Sequence, residues 1–320
     1  MKSLGYVFIF AFLSTELFYA GEVEKILINL KQEQQIITQK INHENGEPIY
    51  EVQPFESIQR NHYDERNKEG KIKYLVMHYT HANFKRTMDI FTANKNSGRV
   101  SAHYVITQKE EEPDNVPGGM IFGIVPEEKR AWHAGISHWN GVENLNHESI
   151  GIENVNRGFE EQAEGKKWFA FDTLQVKALG KLSRKIIEKY QIKPNNIVGH
   201  ADIAPDRKQD PGILFPWQEL YEKYGIGAWL ENDTEAYINK TYIPKEKLSH
   251  GVSDSFCLTQ LKNYGYKIEN PGYNTPENQE AVKAFKSHFS QNQNPKNYDG
   301  LIAQSDMRWG WGLVAKYTKE

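Results

Sequence analysis

The sequence predicts an α/β fold with α+β character, a central mixed β-sheet flanked by helices, followed by a small C-terminal three-helix domain. Two observations carry this: strand-like runs interleave with helical stretches between residues 71 and 230, and past about residue 230 the pattern is helical alone. A length of 320 residues suits about two domains. Hydrophobic residues at 38% and charged residues at 25% describe an ordinary globular protein. With 39 Lys+Arg against 42 Asp+Glu, the chain lacks the basic excess that a nucleic-acid binder needs to displace counterions. The single cysteine, Cys257, excludes an intrachain disulfide and a thiolate-rich zinc knuckle, so any metal must rest on histidines and carboxylates.

Taking the chain in order, Lys2 followed by an apolar run from Leu4 to Leu13 reads as a secretory signal over residues 1–20. Glu16 interrupts it too soon for a comfortable membrane span. Phe18 is a poor residue two places before Ala20, which leaves an uncleaved anchor as the alternative. No cysteine follows, so attachment of a lipid at this end is not expected. Residues 21–70 form a polar lead-in, with Ile26, Leu30, Ile37 and Ile41 able to share one helical face. It either wraps a domain or stays mobile.

From residue 71 to 230 the sheet emerges. Ile72, Tyr74, Val76 and His78 alternate with their neighbours, and a second alternating run covers Val100–Thr107. Met120–Val125, Ser149–Val155 and Asn196–His200 are further strands. Asn83–Asn96 and Asp172–Tyr190 read as helices, the latter capped by Asp172 or Thr173, with Leu174, Ala178, Leu179, Leu182, Ile186 and Tyr190 at three- and four-residue steps. Phe215–Tyr224 is a closing helix. After a linker over 231–252, the helical domain of 253–320 comprises a helix with Leu258, Leu261 and Tyr264, a second capped by Thr275 and carrying Ala281, Val282, Phe285 and Phe289, and a third over Met307–Tyr317.

Two histidines stand at strand ends, where sites tend to lie: His78 in YLVMHYT and His200 in NIVGH. The loop after His200, ADIAPDRKQDPG, is stiffened by Pro205 and Pro211 and holds Asp202, Asp206, Asp210 and Lys208. Two imidazoles and one of these aspartates, with an open fourth position, make the composition of a catalytic zinc site. Asp202, only two residues from His200, can face away, whereas Asp210 lets the loop curl back. HExxH is absent. Glu153, in SIGIENVN, is an ionisable group in an apolar strand, costly unless paired or working, with Gly151 on its own face leaving space. It is a candidate general base. The bland alternatives are a solvent-facing edge glutamate and a solvated loop lysine.

Together VMHYT, VSAHYVIT, RAWHAGIS, LNHESIGIENVNRG and VGHADIAPDRKQDPG, in this order over residues 71–217, closely resemble the type 2 N-acetylmuramoyl-L-alanine amidases, zinc enzymes related to peptidoglycan recognition proteins. The resemblance implies that residues 71–230 are a catalytic domain hydrolysing the amide between N-acetylmuramic acid and the L-alanine of the stem peptide, in peptidoglycan or muropeptides. Carried over by position, it makes His78, His200 and Asp210 ligands of one zinc ion, Glu153 the general base and acid, and Lys208 the stabiliser of the oxyanion. His103 and His133 match family positions and read as structural. Trp132, His133 and Asn154 are candidates for the substrate groove. His81, His138 and His147 read as exposed loop residues. Residues 253–320 resemble a peptidoglycan-binding-type helical domain. A location in the periplasm or cell envelope and a monomer without an obligate protein partner complete the expectation. The rivals are a peptidoglycan binder that does not cut, which is expected to lack a metal ligand, and a glycosidase working with two carboxylates.

Overall fold

The computed structural model describes residues 43–44, 47–48, 52–54, 62–67, 71–92, 100–110, 115–232, 235–243, 253–289 and 298–318. The expected signal segment and the helical patch of Ile26 to Ile41 lie outside the described residues.

The strands are β1 (His43–Glu44), β2 (Glu47–Pro48), β3 (Val52–Pro54), β4 (Tyr63–Glu65), β5 (Tyr74–Tyr79), β6 (Tyr104–Ile106), β7 (Ile121–Gly123), β8 (Lys129–Ala131), β9 (His138–Trp139), β10 (Val142–Glu143), β11 (Ser149–Asn154), β12 (Phe159–Gln162), β13 (Gly165–Trp168) and β14 (Ile197–Gly199). The α-helices are α1 (Phe84–Thr92), α2 (Thr173–Tyr190), α3 (His200–Ile203), α4 (Trp217–Tyr224), α5 (Glu235–Thr241), α6 (Asp254–Tyr264), α7 (Pro276–Phe289) and α8 (Gln304–Tyr317). The central sheet is six-stranded and mixed, in the order β14-β5-β11-β6-β7-β3. β5 and β11 run parallel to each other, β14 runs parallel to β5 and β6 parallel to β11, while β7 lies antiparallel to β6.

The central position of β11 follows from its residues. Every residue from Ser149 to Asn154 is buried, as expected for an inner parallel strand covered on both faces. Register places Glu153 beside His78. Because neighbours in register project to the same face, the two chemistry-bearing side chains share one end of the sheet. The second alternating run is shorter than the pattern suggests. Regular strand begins at Tyr104, because Ser101 is spent on other contacts: its N–H donates to Trp132 O and its hydroxyl to His62 O.

α2 begins where its cap was expected, with the Asp172 side chain accepting from the N–H of Gln175 at 2.8 Å. The buried stripe differs from the expected one: Gln175, Val176, Leu179, Leu182 and Ile186 are buried, whereas Leu174 and Ala178 are only half-buried. Gln175 faces inward because its amide donates to Ile106 O and Val155 O, two carbonyls at the sheet's end. Its Oε1 has no partner among the described residues, so the two donated bonds offset only part of the cost of burying the amide.

The described part of the lead-in wraps the sheet. β3 pairs parallel with β7 at the sheet edge and β4 pairs antiparallel with β8. Arg66 then donates to four carbonyl oxygens, those of Glu127, Asn146, His147 and Ser149, at 2.8–3.2 Å. Arginine suits this task because its planar fork presents five N–H groups.

One apolar core lies between α1 and the sheet, with Phe84, Met88, Val105 and Phe122 fully or nearly fully buried. A larger core on the other face takes in Leu75, Met77, Ile150 and Ile152 and continues without a break through Trp217 and Trp229 to Leu258, Phe285 and Leu313 of the C-terminal helices. The expected linker contains α5, whose Ile238 joins this core. The three C-terminal helices form as expected: Thr275 Oγ1 accepts from the N–H of Asn278 at the start of α7, and Cys257 lies buried in α6. Burial pushes its thiol up to about 12, so it is no nucleophile at neutral pH.

Removing the Arg66 fork leaves four carbonyls short of a donor. Arg66→Ala is expected to destabilise the protein by about 1–3 kcal/mol or more, and Arg66→Lys by less, read as a shift in the urea unfolding midpoint.

Candidate active site

Parallel strands bring the key residues to one end of the sheet. His78 is the penultimate residue of β5, Glu153 that of β11, and His200 follows β14 directly as the first residue of α3. The loop beyond α3 returns because the N–H of Ala201 donates to Asp210 O at 2.8 Å. That closure delivers the Asp210 carboxylate to the two imidazoles. His78 Nδ1 lies 3.0 Å from His200 Nδ1 and 2.9 Å from Asp210 Oδ2, and His200 Nδ1 lies 3.1 Å from the same oxygen. All three residues are buried. Asp202 faces away from this cluster and Asp206 is exposed, so the loop aspartate beside the histidines is Asp210.

The protons of these rings can be traced. His200 Nε2 meets Ala134 O at 3.1 Å, and a carbonyl only accepts, so Nε2 carries the proton and Nδ1 presents a lone pair. The Ser149 hydroxyl donates to Leu145 O at 2.7 Å, which leaves Ser149 Oγ to accept from His133 Nε2 at 3.1 Å. His133 Nδ1 then accepts from His78 Nε2 at 3.0 Å, and His78 Nδ1 is left with a lone pair. Burial, and then His200, push His78 down to about 4, which keeps its ring neutral. Two bare nitrogens and a carboxylate oxygen within 3.1 Å of one another repel unless a cation lies among them. The donor set therefore fits a metal ion, and of the kind that takes nitrogen and oxygen ligands.

Glu153 is 8% exposed, and its Oε2 has no hydrogen-bond partner among the described residues. Burial, reinforced by Asp210 and opposed by Lys208, raises its carboxyl well above the usual range. It opens onto a groove of about 430 Å³ shared with Tyr79, His81, Phe159, Lys208 and Asp210.

Of the expected groove residues, His133 reaches the groove, but its ring is committed to His78 and Ser149. Asn154 is fully buried, its amide donating to His78 O, and Trp132 donates its indole N–H to Asp64 at 2.7 Å. Asn154 thus braces the backbone of His78 from behind. His103 is buried and structural: its Nδ1 accepts from Gly151 N–H and its Nε2 meets Lys129 O. Gly151 does leave space, but for His133: a Cβ there would lie 2.4 Å from that ring. His81 is exposed as expected, whereas His138 and His147 are half-buried.

Sequence reasoning missed Ser149, Asn146 and Arg207. Asn146 Oδ1 accepts from the N–H groups of His133 and Ala134, and Arg207 donates to Ala134 O, the carbonyl that orients His200. A small polar residue opening an apolar strand was the only hint at Ser149.

Residues converging at the C-terminal ends of parallel strands, with a carboxylate beside a metal-ready triad, define a hydrolase site. Residues 68–213 match the family described as N-acetylmuramoyl-L-alanine amidase. The N-acetylmuramoyl-L-alanine amidase AmiD of Escherichia coli (strain K12) is 39% identical over 251 residues, 78% of this chain and 85% of AmiD. This chain belongs to the N-acetylmuramoyl-L-alanine amidase family. The solved complex of E. coli AmiD with anhydro-N-acetylmuramic acid-L-Ala-D-gamma-Glu-L-Lys is similar at a TM-score of 0.64 and 36% identity, covering 80% of this chain and 94% of that one. AmpDH3 from Pseudomonas aeruginosa is similar at a TM-score of 0.66 and 33% identity, covering 82% and 99%.

Two outcomes are expected. His133→Ala breaks the proton chain behind His78 and weakens metal retention about 10–100-fold with the fold intact, measured by chelator competition beside circular dichroism. In the metal-free protein His78, His103 and His133 stay neutral when folded but take up protons below pH 6.5 when unfolded. Each such group removes up to about 1.4 kcal/mol of stability per pH unit as the pH falls. Glu153, whose carboxyl is raised, works in the opposite sense and offsets part of this loss. The urea midpoint of metal-free protein must therefore drop from pH 7 to pH 5, and a flat profile would contradict the neutral assignment.

Proposed function

We propose that this chain hydrolyses the amide between the lactyl group of N-acetylmuramic acid and L-alanine in peptidoglycan or its fragments, with one zinc ion held by His78, His200 and Asp210. The observation that carries this reading is the convergence of His78 Nδ1, His200 Nδ1 and Asp210 Oδ2 beside Glu153 in one groove. Zinc bound there supplies Lewis acidity toward an amide carbonyl and lowers the pKa of water to about 7.

The remaining work falls to the chain's own side chains. Glu153 takes a proton from the attacking water as its oxygen bonds to the lactyl carbonyl carbon. The same carboxyl returns that proton to the alanine nitrogen as the C–N bond breaks, leaving a free acid and a free amine. Glu153 Oε2 has no competing partner among the described residues, so it can hold the proton between the two steps. Lys208 lines the groove and offers its ammonium to the carbonyl oxygen as negative charge grows there, a contact worth on the order of 3 kcal/mol in comparable sites.

These groups all come from one chain. The muropeptide ligands in the AmiD structure and in a second AmpDH3 structure, with anhydromuramic pentapeptide, support fragments of this kind as substrates here. The apolar run from Leu4 to Leu13 supports export to the periplasm or cell envelope, where such substrates are found.

Glu153→Gln separates the roles. It should retain stoichiometric zinc by elemental analysis while turnover falls about 10²–10⁴-fold, and near-normal turnover would sink the assignment. Mass spectrometry of digested muropeptides tests the reaction itself. Released stem peptides identify an amidase, shortened glycan a glycosidase, and unchanged substrate a binder.

A further inference from the structure

Asp202 has no part in the chemistry above, yet it is 2% exposed and stands two residues after His200 on α3. Its carboxylate is fully engaged. Oδ2 accepts from Gly199 N–H at 2.6 Å and from His288 Nδ1 at 2.7 Å, while Oδ1 accepts from the Tyr266 hydroxyl at 2.6 Å. Two of these three donors belong to the C-terminal helical region: Tyr266 follows α6, and His288 closes α7.

Both donors are themselves anchored on the sheet side. The His288 ring stacks on Trp217 of α4 with centroids 3.7 Å apart and planes 14° apart. Tyr266 meets the edge of Trp139 on β9 at 4.8 Å, and the N–H of Asn140 donates to Gly265 O. On the other side of Asp202 the contacts lead straight to the site. Gly199, which Asp202 holds, packs so closely that a Cβ would meet Pro211 at 2.6 Å, and Ala201 N–H bonds Asp210 O.

We propose that the C-terminal helices are a positioning element of the metal site: Tyr266 and His288 grip Asp202 and so hold the loop that carries His200, Lys208 and Asp210. The proposal rests on the reading of that triad as the zinc site. It gives the C-terminal region a task inside the enzyme, independent of any hold on glycan. Tyr266 and His288 touch neither substrate nor metal and act only through Asp202.

The test uses the full chain loaded with zinc. The double variant Tyr266→Phe/His288→Leu should lose zinc to a competing chelator about tenfold more readily than wild type, at the lower end of what second-layer contacts contribute. His288→Asn, which keeps an N–H near the position of Nδ1, should restore retention when Tyr266 is intact. Leu313→Ala, in the buried face of α8 and bonded to neither residue, should lower the melting temperature while leaving zinc retention unchanged. If the double variant does not fold, Tyr266→Phe alone carries the comparison. Wild-type retention in the double variant, or in Tyr266→Phe where that stands in for it, or equal loss in Leu313→Ala, would overturn the proposal while leaving the zinc reading intact. A wild-type protein that binds no zinc overturns both.

Discussion

Three atoms that each present a lone pair, His78 Nδ1, His200 Nδ1 and Asp210 Oδ2, stand within 3.1 Å of one another in a buried place. This juxtaposition is unfavourable for the bare protein and fits a cation among the three. The surrounding structure has to hold the groups there against their own repulsion. Parallel pairing of β5 with β11 and β14 brings two of the carriers to one sheet end, and the returning loop supplies the third.

What keeps the lone pairs pointed inward is a set of hydrogen bonds whose direction is settled at their far ends. Backbone carbonyls cannot donate, so Ala134 O fixes the proton of His200, and Leu145 O fixes that of Ser149, then of His133, then of His78. This chain explains the composition of its neighbours. Gly151 has no side chain because the His133 ring fills that space, and Asn146 accepts from the backbone that carries His133. Arg66 satisfies carbonyls around the same segment from outside, including that of Ser149, so the lead-in is part of the support.

Much of this was legible in the sequence. Helix α2 announces itself by period and cap, and the histidines of YLVMHYT and NIVGH stand at strand ends because apolar runs stop there. Glu153 was conspicuous as a charge in an apolar strand. Gln175 broke the expected stripe because its amide N–H groups bond two carbonyls at the sheet's end, which no helical period can reveal. Ser149 and Asn146 were missed because short polar side chains look alike whether they face water or complete a buried hydrogen-bond chain. Asn154 was placed toward substrate by motif but is fully buried against β5, because a motif records neighbours along the chain and not which side of a strand faces the groove.

Residue types and their order set the chemistry available: no thiolate ligands, hence histidines and carboxylates, a glutamate in apolar surroundings, and a sheet followed by helices. Hydrophobic period and residue type are local properties, so they survive in one dimension. Folding settled that the returning loop sets Asp210, the ligand the family resemblance implies, beside the histidines, that His133 backs His78, and that the C-terminal helices share one core with the sheet and grip Asp202. The physical reason is that these outcomes depend on which donors and acceptors meet across strands and helices far apart in the chain, and that meeting is set by packing.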